Sequence, residues 1–452
     1  MTDPRPSFCS TMGHINRILC ALATALILTG AATADVAESE AFAIEVRPTG
    51  ITSIPIAIPT FTSDTSLSAE FRENMRALIL EDLSYAGIIK VLPREAYLAE
   101  PGRPDVNYED WLFIGAEFMA SVSLFSTGTH LRAEVAVYDM AMKRKKSKQS
   151  FEIAFDRYVT LAHRLADHIL YEVSGVQGFF EARIAFVSDR TSSANAVSKN
   201  IYAMDFDGSN LQPVTTNDSI NINPFWHSMS KVAFTSYIRQ RPEILLRDLQ
   251  SGRTALLAAF GGTNTGGIPS PDGKYIAVTA SHNGISNIYL LHSDGRMYRQ
   301  LTRHWSIDVS PAWSPDGNFI AFVSDRPGSP QVYKINLRTD EITRVTYEGR
   351  YNVSPVWSPD GNYIAYTSLE ENKFNIYIVE KDGYNPQRLT YNSGHNETPR
   401  WSRDGNYLLF TSNRTGEFKL YVMDRTGTFQ KRLKDGPGNN NMPDWVFPEK
   451  EK

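Results

Sequence analysis

Cysteine is almost absent from this chain, and the only two cysteines, Cys9 and Cys20, lie near its beginning. The chain after Cys20 therefore has no thiol, which excludes disulfides and metal binding through cysteine sulfur there. An excess of one charge is also missing, because 46 Lys and Arg residues oppose 50 Asp and Glu residues for a formal net charge of −4. This near balance gives no electrostatic footprint for binding nucleic acid.

The usual signatures of catalysis are also missing. The chain contains no Gly-x-Ser-x-Gly nucleophile elbow, no His-Glu-x-x-His zinc helix and no phosphate-binding Walker loop. His163 and His168 lie five residues apart, an awkward spacing for two metal ligands on one helix, and we interpret them as packing or surface residues. The sequence thus predicts a protein that is not an enzyme and that needs no cofactor or metal.

Long apolar runs are lacking too, and the most prominent is Ile18–Leu28. It is too short for a membrane-spanning helix. It follows the basic Arg17, and small residues ending in Ala-Thr-Ala precede Asp35. This arrangement predicts a cleaved secretory signal over residues 1–34, with Met12 as an alternative start, and a soluble exported protein without direct membrane insertion. The polar residues 35–45 that follow are expected to form a flexible N-terminus.

The most informative feature is a repeat. Pro311–Gly317 reads PAWSPDG, and Pro355–Gly361 reads PVWSPDG 44 residues later. Related motifs surround Trp226, Pro269, Trp401 and Trp445, at spacings of 43 or 44 residues. A fixed period in this range indicates one supersecondary unit that is copied along the chain.

Each copy contains four apolar, β-branched or aromatic runs separated by turn residues, which is typical of one blade of a β-propeller. Six positions mark the second strands of the blades: Ile184, Val232, Ile276, Ile320, Ile364 and Leu408. Ile184 has no tryptophan motif before it, and Trp445 has no second strand after it. We therefore predict six blades, with the C-terminal segment closing the ring as the innermost strand beside Arg183–Ser188.

The region before the repeats predicts a small α/β domain, because its apolar residues alternate between strand and helix periods. Strands are expected at 54–61, 88–92, 113–125, 131–138 and 150–155, and helices at 69–83 and 157–173. The prolines of the first strand favour an edge or irregular position. Lys143–Lys148 is interpreted as a solvated hairpin tip. The predicted domains are thus α/β over 46–176 and propeller over 177–452.

The loops between blades are the candidate functional region, because they converge around the central channel of a propeller. They cover residues 216–223, 261–267, 303–310, 347–354, 391–398 and 435–442, and they are rich in Asn, Ser, Gly and Thr. This composition suits adaptable hydrogen bonding to a protein partner.

The secretory signal, the opening motif Pro55–Phe61 (PIAIPTF) and the Pro-x-Trp-Ser-Pro-Asp-Gly repeats together resemble the TolB family of the bacterial Tol–Pal envelope system. The resemblance covers nearly the whole chain after the signal. It implies a monomeric, non-enzymatic periplasmic adaptor that links the inner-membrane protein TolA to the outer-membrane lipoprotein Pal. Outer-membrane integrity and constriction during cell division are the implied roles.

The resemblance also implies contact residues for both partners. Those expected for Pal are Thr263, Asn264, Gly266, Asp308, Asn352, His395 and Glu397. Those expected for TolA are Asp35, Val36, Ala37, Glu38, Ser39 and Glu40. The loop at 261–267 lacks the histidine that is common in the family, so the channel face is implied more strongly than any single residue.

Two other functions stay open at this point. An exported propeller enzyme would need converging acid and base groups in the loops, and His395 with Glu397 is the one such pair within a single loop. A sugar-binding module would need aromatic platforms, for which Trp305, Tyr347, Tyr351 and Tyr391 are candidates.

Overall fold

The structure is a computed structural model, and it describes residues 53–64, 66–98, 106–193 and 197–449. The predicted secretory signal and the N-terminal segment 35–45, including the residues expected to contact TolA, lie outside these ranges. Among the helices within them, none combines the length and the apolar character needed to cross a membrane.

The N-terminal part contains a mixed β-sheet with the strand order β3-β1-β4-β5-β6, in which β2 pairs with β4. Strand β1 runs parallel to β3, with Ile54 opposite Ile89, so the predicted strand–helix–strand unit is present. The strands are β1 Ile54–Ala57, β2 Thr62–Ser63, β3 Ile89–Val91, β4 Phe118–Ser126, β5 His130–Asp139 and β6 Arg144–Ala154.

Three α-helices accompany this sheet: α1 Ala69–Ser84, α2 Tyr108–Phe113 and α3 Tyr158–Ser174. The Ser68 hydroxyl accepts a hydrogen bond from the Phe71 N–H and caps the start of α1. Gly175 ends α3 in the left-handed conformation, with φ of 77°. Short 3₁₀ turns cover Arg94–Ala96 and Phe155–Arg157.

Three expectations about this part need correction. Strand β1 lies inside the sheet, not at its edge, because its parallel neighbours lie on both sides of the proline-bearing segment. The strand predicted over 113–125 begins only at Phe118, since Tyr108–Phe113 is helical. The basic cluster occupies the exposed edge strand β6 and not the hairpin tip. Lysines on an edge strand discourage pairing with a second molecule.

The propeller contains six four-stranded antiparallel sheets. Strands β10–β13 form blade 1, and each later set of four forms blades 2 to 5; blade 6 has the order β30-β7-β8-β9. The inner strands are β10 Asn221–Ser228, β14 Asn264–Pro269, β18 Asp308–Trp313, β22 Asn352–Trp357, β26 Asn396–Trp401 and β30 Asn440–Val446. The second strands are β7 Arg183–Ser188, β11 Lys231–Ser236, β15 Tyr275–His282, β19 Phe319–Ser324, β23 Tyr363–Glu370 and β27 Tyr407–Thr415.

The outer half of each blade is shorter and more exposed. The third strands are β8 Asn200–Asp205, β12 Glu243–Asp248, β16 Ile285–His292, β20 Gln331–Asn336, β24 Lys373–Glu380 and β28 Glu417–Asp424. The fourth strands are β9 Gln212–Pro213, β13 Thr254–Ala258, β17 Met297–Gln300, β21 Ile342–Arg344, β25 Gln387–Arg388 and β29 Gln430–Arg432.

The ring closes as the sequence predicts. Strand β30 pairs with β7, and Trp445 lies opposite Ile184. The Trp445 indole N–H also donates a hydrogen bond of 2.6 Å to the carbonyl of Trp401 in blade 5. The six-bladed count and the closure by both ends of the sheet-forming region are therefore confirmed.

The α/β part packs against the propeller through a shared apolar cluster that includes Leu83, Phe179 and Tyr407. The Tyr407 hydroxyl donates a 2.7 Å hydrogen bond to the carbonyl of Ala86, at the end of α1. Tyr407 belongs to blade 5, so the α/β part contacts the side of the disc opposite the start of the inner strands. The loops where those strands begin lie on the other side of the disc.

Candidate functional site

The channel face is the side of the disc on which all six inner strands begin. It is formed by the loops that join the fourth strand of one blade to the inner strand of the next. These loops cover residues 214–220, 259–263, 301–307, 345–351, 389–395 and 433–439. Turns between the second and third strands lie on the same face, because successive strands are antiparallel.

The first residue of each inner strand is an asparagine or aspartate that is almost completely buried. We call these six residues the amide ring: Asn221, Asn264, Asp308, Asn352, Asn396 and Asn440. Their exposed fractions are 0% or 1%. Buried polar groups need hydrogen-bond partners, so this ring must be bonded to the surrounding backbone and side chains.

The hydrogen bonds show that the amide ring holds the loops in place. The Asn264 side-chain amide donates to the carbonyls of Pro242, Phe260 and Gly262 at 3.0, 2.7 and 2.9 Å. Asn352 donates to the Glu348 carbonyl at 2.7 Å and to the Gln331 side-chain oxygen at 2.8 Å. Each bond replaces water at a loop carbonyl that would otherwise be unpaired.

A threonine completes the same network in several blades. The Thr346 hydroxyl donates to Gln331 Oε1 at 2.8 Å and accepts from the Val332 N–H at 2.9 Å. Thr390 repeats this arrangement with Asn375 and Ile376 in the following blade. The threonine, the amide of the third strand and the amide ring thus fix the path of the loop between two blades.

Three of the residues expected to contact Pal belong to this ring. Asn264 and Asn352 direct their amides into their own loops, and Asp308 binds Arg326 with an oxygen–nitrogen distance of 2.9 Å. Burial raises the pKa of Asp308 despite the opposing pull of the Arg326 guanidinium. These three side chains are buried beneath the channel face and hold its loops in place. Direct contact of these side chains with Pal stays a prediction.

Thr263 and Gly266 also serve the loop. The Thr263 N–H donates to the Ser281 hydroxyl at 2.6 Å. Gly266 has a φ of 96° and is buried. It occupies the third position of its inner strand, where every blade has a positive φ. The other residues at this position are Asn223, Ser310, Ser354, Thr398 and Met442.

His395 and Glu397 lie in and just after the loop that leads into blade 5. His395 Nδ1 accepts a hydrogen bond of 3.3 Å from the Phe374 N–H, and burial lowers the pKa of the imidazole. Glu397 is half-buried, and burial raises the pKa of its carboxyl to about 7. The carboxylate of Glu397 forms no hydrogen bond or ion pair with a described residue, so the two do not act as an acid–base couple.

Three aromatic side chains are strongly exposed on this face, with exposed fractions of 74% for Trp305, 66% for Tyr347 and 60% for Tyr391. We call them the aromatic arc, since they occupy the loops into blades 3, 4 and 5. Sequence analysis considered them only as sugar platforms. Their placement in consecutive loops of the repeat is the signal that could have identified them as a surface.

The two tyrosines of the aromatic arc are held rigidly. The guanidinium of Arg344 lies 5.0 Å from the ring centre of Tyr347, and that of Arg388 lies 4.8 Å from Tyr391. Each tyrosine hydroxyl donates to the carbonyl of the same arginine, at 3.3 and 3.0 Å. Rigid aromatic side chains bind protein surfaces with a small loss of conformational entropy.

The channel face offers hydrogen-bonding groups and exposed aromatic rings. Within the described ranges, no group of three His, Cys, Asp or Glu residues is arranged to hold a metal ion. The arrangement consists of exposed aromatic rings in three consecutive interblade loops and one half-buried acid near the start of an inner strand.

Two family models match this sequence. The model described as the TolB beta propeller domain matches residues 171–447, and the model described as the TolB amino-terminal domain matches residues 42–146. The first match alone covers more than half of the chain.

Individual relatives agree with these models. The protein named Tol-Pal system protein TolB from Desulfosudis oleivorans is 34% identical over 56% of this chain and 58% of its own length. The protein of the same name from Cereibacter sphaeroides is 32% identical over 54% of this chain and 55% of its own length. The chain thus spans about half the length of the curated relatives it matches.

Among solved structures, a crystal structure of TolB from Acinetobacter baumannii resembles the chain with a TM-score of 0.78. The match covers 89% of this chain and 98% of the other, at 24% sequence identity. At this identity the likeness demonstrates a shared fold.

Proposed function

Because the chain belongs to the TolB family and is a component of the Tol–Pal system, we propose that it is a non-enzymatic periplasmic adaptor. It binds Pal through the channel face and TolA through its N-terminal segment. By linking the two, it maintains outer-membrane integrity and supports constriction during cell division. Family membership, and not the lack of a catalytic motif, is what separates this function from the exported propeller enzyme.

The observation that supports a protein partner on the channel face is the aromatic arc. Large apolar side chains that are exposed together commonly mark interaction sites. Trp305, Tyr347 and Tyr391 lie in three consecutive interblade loops, and two of them are fixed by arginine contacts. Tyrosine, tryptophan and arginine are the residues enriched at the centres of protein interfaces. We infer that Pal docks over blades 3 to 5.

The docking test is isothermal titration calorimetry of the full chain, after removal of the signal, with the periplasmic domain of Pal. The double variant Tyr347→Ala/Tyr391→Ala is expected to weaken binding by about 30-fold or more, the effect of losing an interface hot spot. Tyr171→Ala is the matched control, because Tyr171 is 53% exposed and lies on α3 of the α/β part. Equal affinity of the double variant and the control would contradict docking on the arc.

The TolA-binding segment, Asp35–Glu40, is tested separately because it lies outside the described residues. Deleting residues 35–45 is expected to abolish TolA binding in a pull-down and to leave the melting temperature unchanged. A polar segment with little to bury can order on binding without contributing to the folded core. Retained TolA binding after the deletion would place that site elsewhere.

A further inference from the structure

The inner strands of blades 5, 6 and 1 meet at equivalent positions. Arg400, the fifth residue of β26, reaches into blade 6, where its Nε lies 3.3 Å from Oδ1 of Asp444 in β30. Its guanidinium lies 5.1 Å from the ring centre of Phe225, the fifth residue of β10. Asp444 also accepts a 2.9 Å hydrogen bond from the Trp226 N–H. At the fifth position, therefore, the acid on one blade has a cation from the neighbouring blade.

Glu397 and Asn441 occupy the second position of the same two strands, nearer the channel face. In a regular strand, residues three apart would point to opposite sides of the sheet. Here a bulge lies between them, because Glu397 pairs with Thr411 and Arg400 with Leu409, so three steps on β26 match two on β27. Glu397 is thus on the same side of the blade as Arg400, the side turned toward blade 6.

The second position has an acid but no cation. The Glu397 carboxylate has no hydrogen bond or ion pair with a described residue, and the Oδ1 atom of Asn441 is buried without a hydrogen-bond partner. A carboxylate held in a poorly solvated place without a partner is costly, and the raised pKa of Glu397, about 7, is a consequence of its burial.

The repeat itself does not require an acid at this position. The equivalent residues in the other blades are neutral: Ile222, Thr265, Val309 and Val353. Glu397 is therefore not required for the loop contacts that the amide ring makes. Its side chain is half-buried and lies at the channel mouth, so a ligand that approaches from the channel face can reach it.

We propose that Glu397 and Asn441 form a subsite at the channel mouth that accepts one lysine or arginine side chain from the protein docked on the channel face. This inference rests on the proposed function. The ammonium or guanidinium donates hydrogen bonds to the carboxylate and to the amide oxygen, and it completes at the second position the ion pair that already exists at the fifth.

A cationic side chain fits these two groups better than a divalent metal ion. Calcium takes six to eight oxygen ligands, and magnesium requires a near-ideal octahedron. The subsite offers one carboxylate and one amide oxygen, and no metal-ligating group of three His, Cys, Asp or Glu residues exists in the described part of the chain. One point charge with several donors matches the available acceptors.

The experiment measures the affinity of the full chain for the periplasmic domain of Pal by calorimetry. Glu397→Gln keeps the shape of the side chain and removes its charge, and it is expected to weaken binding by about 30-fold, the low end for loss of one partner of a buried charge pair. Asn441→Ala should weaken binding by a smaller factor. Glu371→Gln, an exposed acid in a turn of the same face, is the matched control and should leave the affinity unchanged.

A second readout is the pH dependence of binding. Since the free carboxyl has a pKa of about 7, affinity should increase from pH 6 to pH 8 in the wild type and stay flat in Glu397→Gln. The other titratable groups nearby are Tyr351, whose phenol pKa is raised by burial and by Glu397, and His395 on the same segment. The Arg400–Asp444 pair lies three residues further along the same two inner strands, and it is retained in both the wild type and Glu397→Gln.

The outcomes separate this inference from the proposed function. If Glu397→Gln binds Pal as the wild type does while Tyr347→Ala/Tyr391→Ala binds weakly, the cation subsite is wrong and the docking face stands. If the wild type does not bind Pal, the proposed function itself fails. Calcium titration of the protein alone is the third arm: calcium binding that is lost in Glu397→Gln would reassign the site to a metal ion. The melting temperature of Glu397→Gln should not decrease, because an unpaired charge is removed from a poorly solvated place.

Discussion

The loop that leads into blade 6 and the loops that lead into blades 4 and 5 derive from one repeat, but only the loops into blades 4 and 5 expose a tyrosine. In the blade 6 loop, Arg190 donates to the Asp435 carbonyl at 2.8 Å and to Asn440 Oδ1 at 3.2 Å. Lys419 donates to the carbonyls of Gly436 and Gly438 at 2.9 and 2.8 Å. The loops into blades 4 and 5 instead present Tyr347 and Tyr391 to solvent.

The difference follows from how the ring is closed. Blade 6 combines strands from distant parts of the chain, so its loop must hold together segments that no short connection restrains. The Asn439 N–H donates to Asp189 Oδ1 at 2.7 Å across 250 residues of sequence, whereas the equivalent bond in blade 5, from the His395 N–H to Asn413 Oδ1 at 2.6 Å, spans 18 residues. Blades 4 and 5 are continuous hairpins, and their loops are free to carry side chains for recognition.

The largest effect is expected for the closing strand. Trp445→Ala should lower the free energy of unfolding by about 3–5 kcal/mol, since it empties a buried site and leaves the Trp401 carbonyl without its donor. Trp305→Ala, at an exposed tryptophan in the loop into blade 3, should change the free energy of unfolding by less than about 0.5 kcal/mol. Chemical denaturation of both variants measures these two changes. Similar losses of stability would contradict the distinction between the closing strand and the exposed loops.

Blade 6 also contacts the α/β part through His163 of α3, and this contact predicts that the stability of the fold depends on pH. His163 Nδ1 lies 2.7 Å from Asp82 Oδ2, and its Nε2 lies 3.7 Å from Asp207 Oδ2 in the turn after β8. Asp82, Asp207 and the nearby Asp167 raise the pKa of His163 from 6.5 to about 9 against the opposing effect of burial.

Because the folded-state pKa is the higher one, this stabilisation is present at pH 6.5, where the Asp82 carboxyl with its pKa of about 6 is mostly charged, and it is lost as the pH increases through about 9. We expect the advantage of the wild type over His163→Gln to decrease by about 1–3 kcal/mol across that window. Denaturation curves at several pH values measure it. A constant difference between the two proteins would show that His163 is neutral in the folded state.

A moderate effect is expected for the loop of blade 6 itself. Arg190→Ala should cost about 2 kcal/mol, because it removes charged hydrogen bonds to Asp435 and Asn440 and the stacking on Tyr202, 4.4 Å away. Arg344→Ala, which removes the support of Tyr347 and one hydrogen bond of 2.6 Å to the Thr346 carbonyl, should cost less in stability and more in Pal affinity. A reversed order in thermal melts and calorimetry would contradict the division between closure and recognition.

The smallest effect on stability is expected for the aromatic arc. Tyr391→Ala should change the free energy of unfolding by less than about 0.5 kcal/mol, since its ring is 60% exposed. The same variant should reduce Pal affinity measurably. A loss of stability comparable to that of Arg190→Ala would mean that the arc belongs to the scaffold.

Much of the fold could be predicted because the repeated motif recurs at a fixed spacing in the sequence. The six second-strand positions, from Ile184 to Leu408, predicted six blades, and the unpaired motif at Trp445 predicted the closing strand. The prediction was weaker in the α/β part, where nothing repeats. There, strand was expected from Phe113, but Phe113 ends the helix Tyr108–Phe113, which Asn107 caps, and the strand begins at Phe118.

The candidate site was harder, although a signal was present. Asn264, Asp308 and Asn352 were expected to contact Pal because the resemblance to the TolB family implied contacts in their loops. They follow the same spacing of 44 residues as the tryptophans, which in a repeat indicates a structural duty. Their burial confirms that structural role, and the exposed side chains in these loops are instead those of Tyr347 and Tyr391.

The sequence alone determined the number of blades, the order of the two folded parts and the strand that closes the ring, because these depend on periodic patterns along one chain. Only the tertiary structure decided which polar residues face inward. Asn264 faces inward because the carbonyls of Pro242, Phe260 and Gly262 converge on its amide, and an acid such as Glu397 is paired only where the folded ring brings a cation from a neighbouring blade to it. Glu397 and Asp444 are both acids on inner strands, and only the folded ring places an arginine beside one of them and none beside the other.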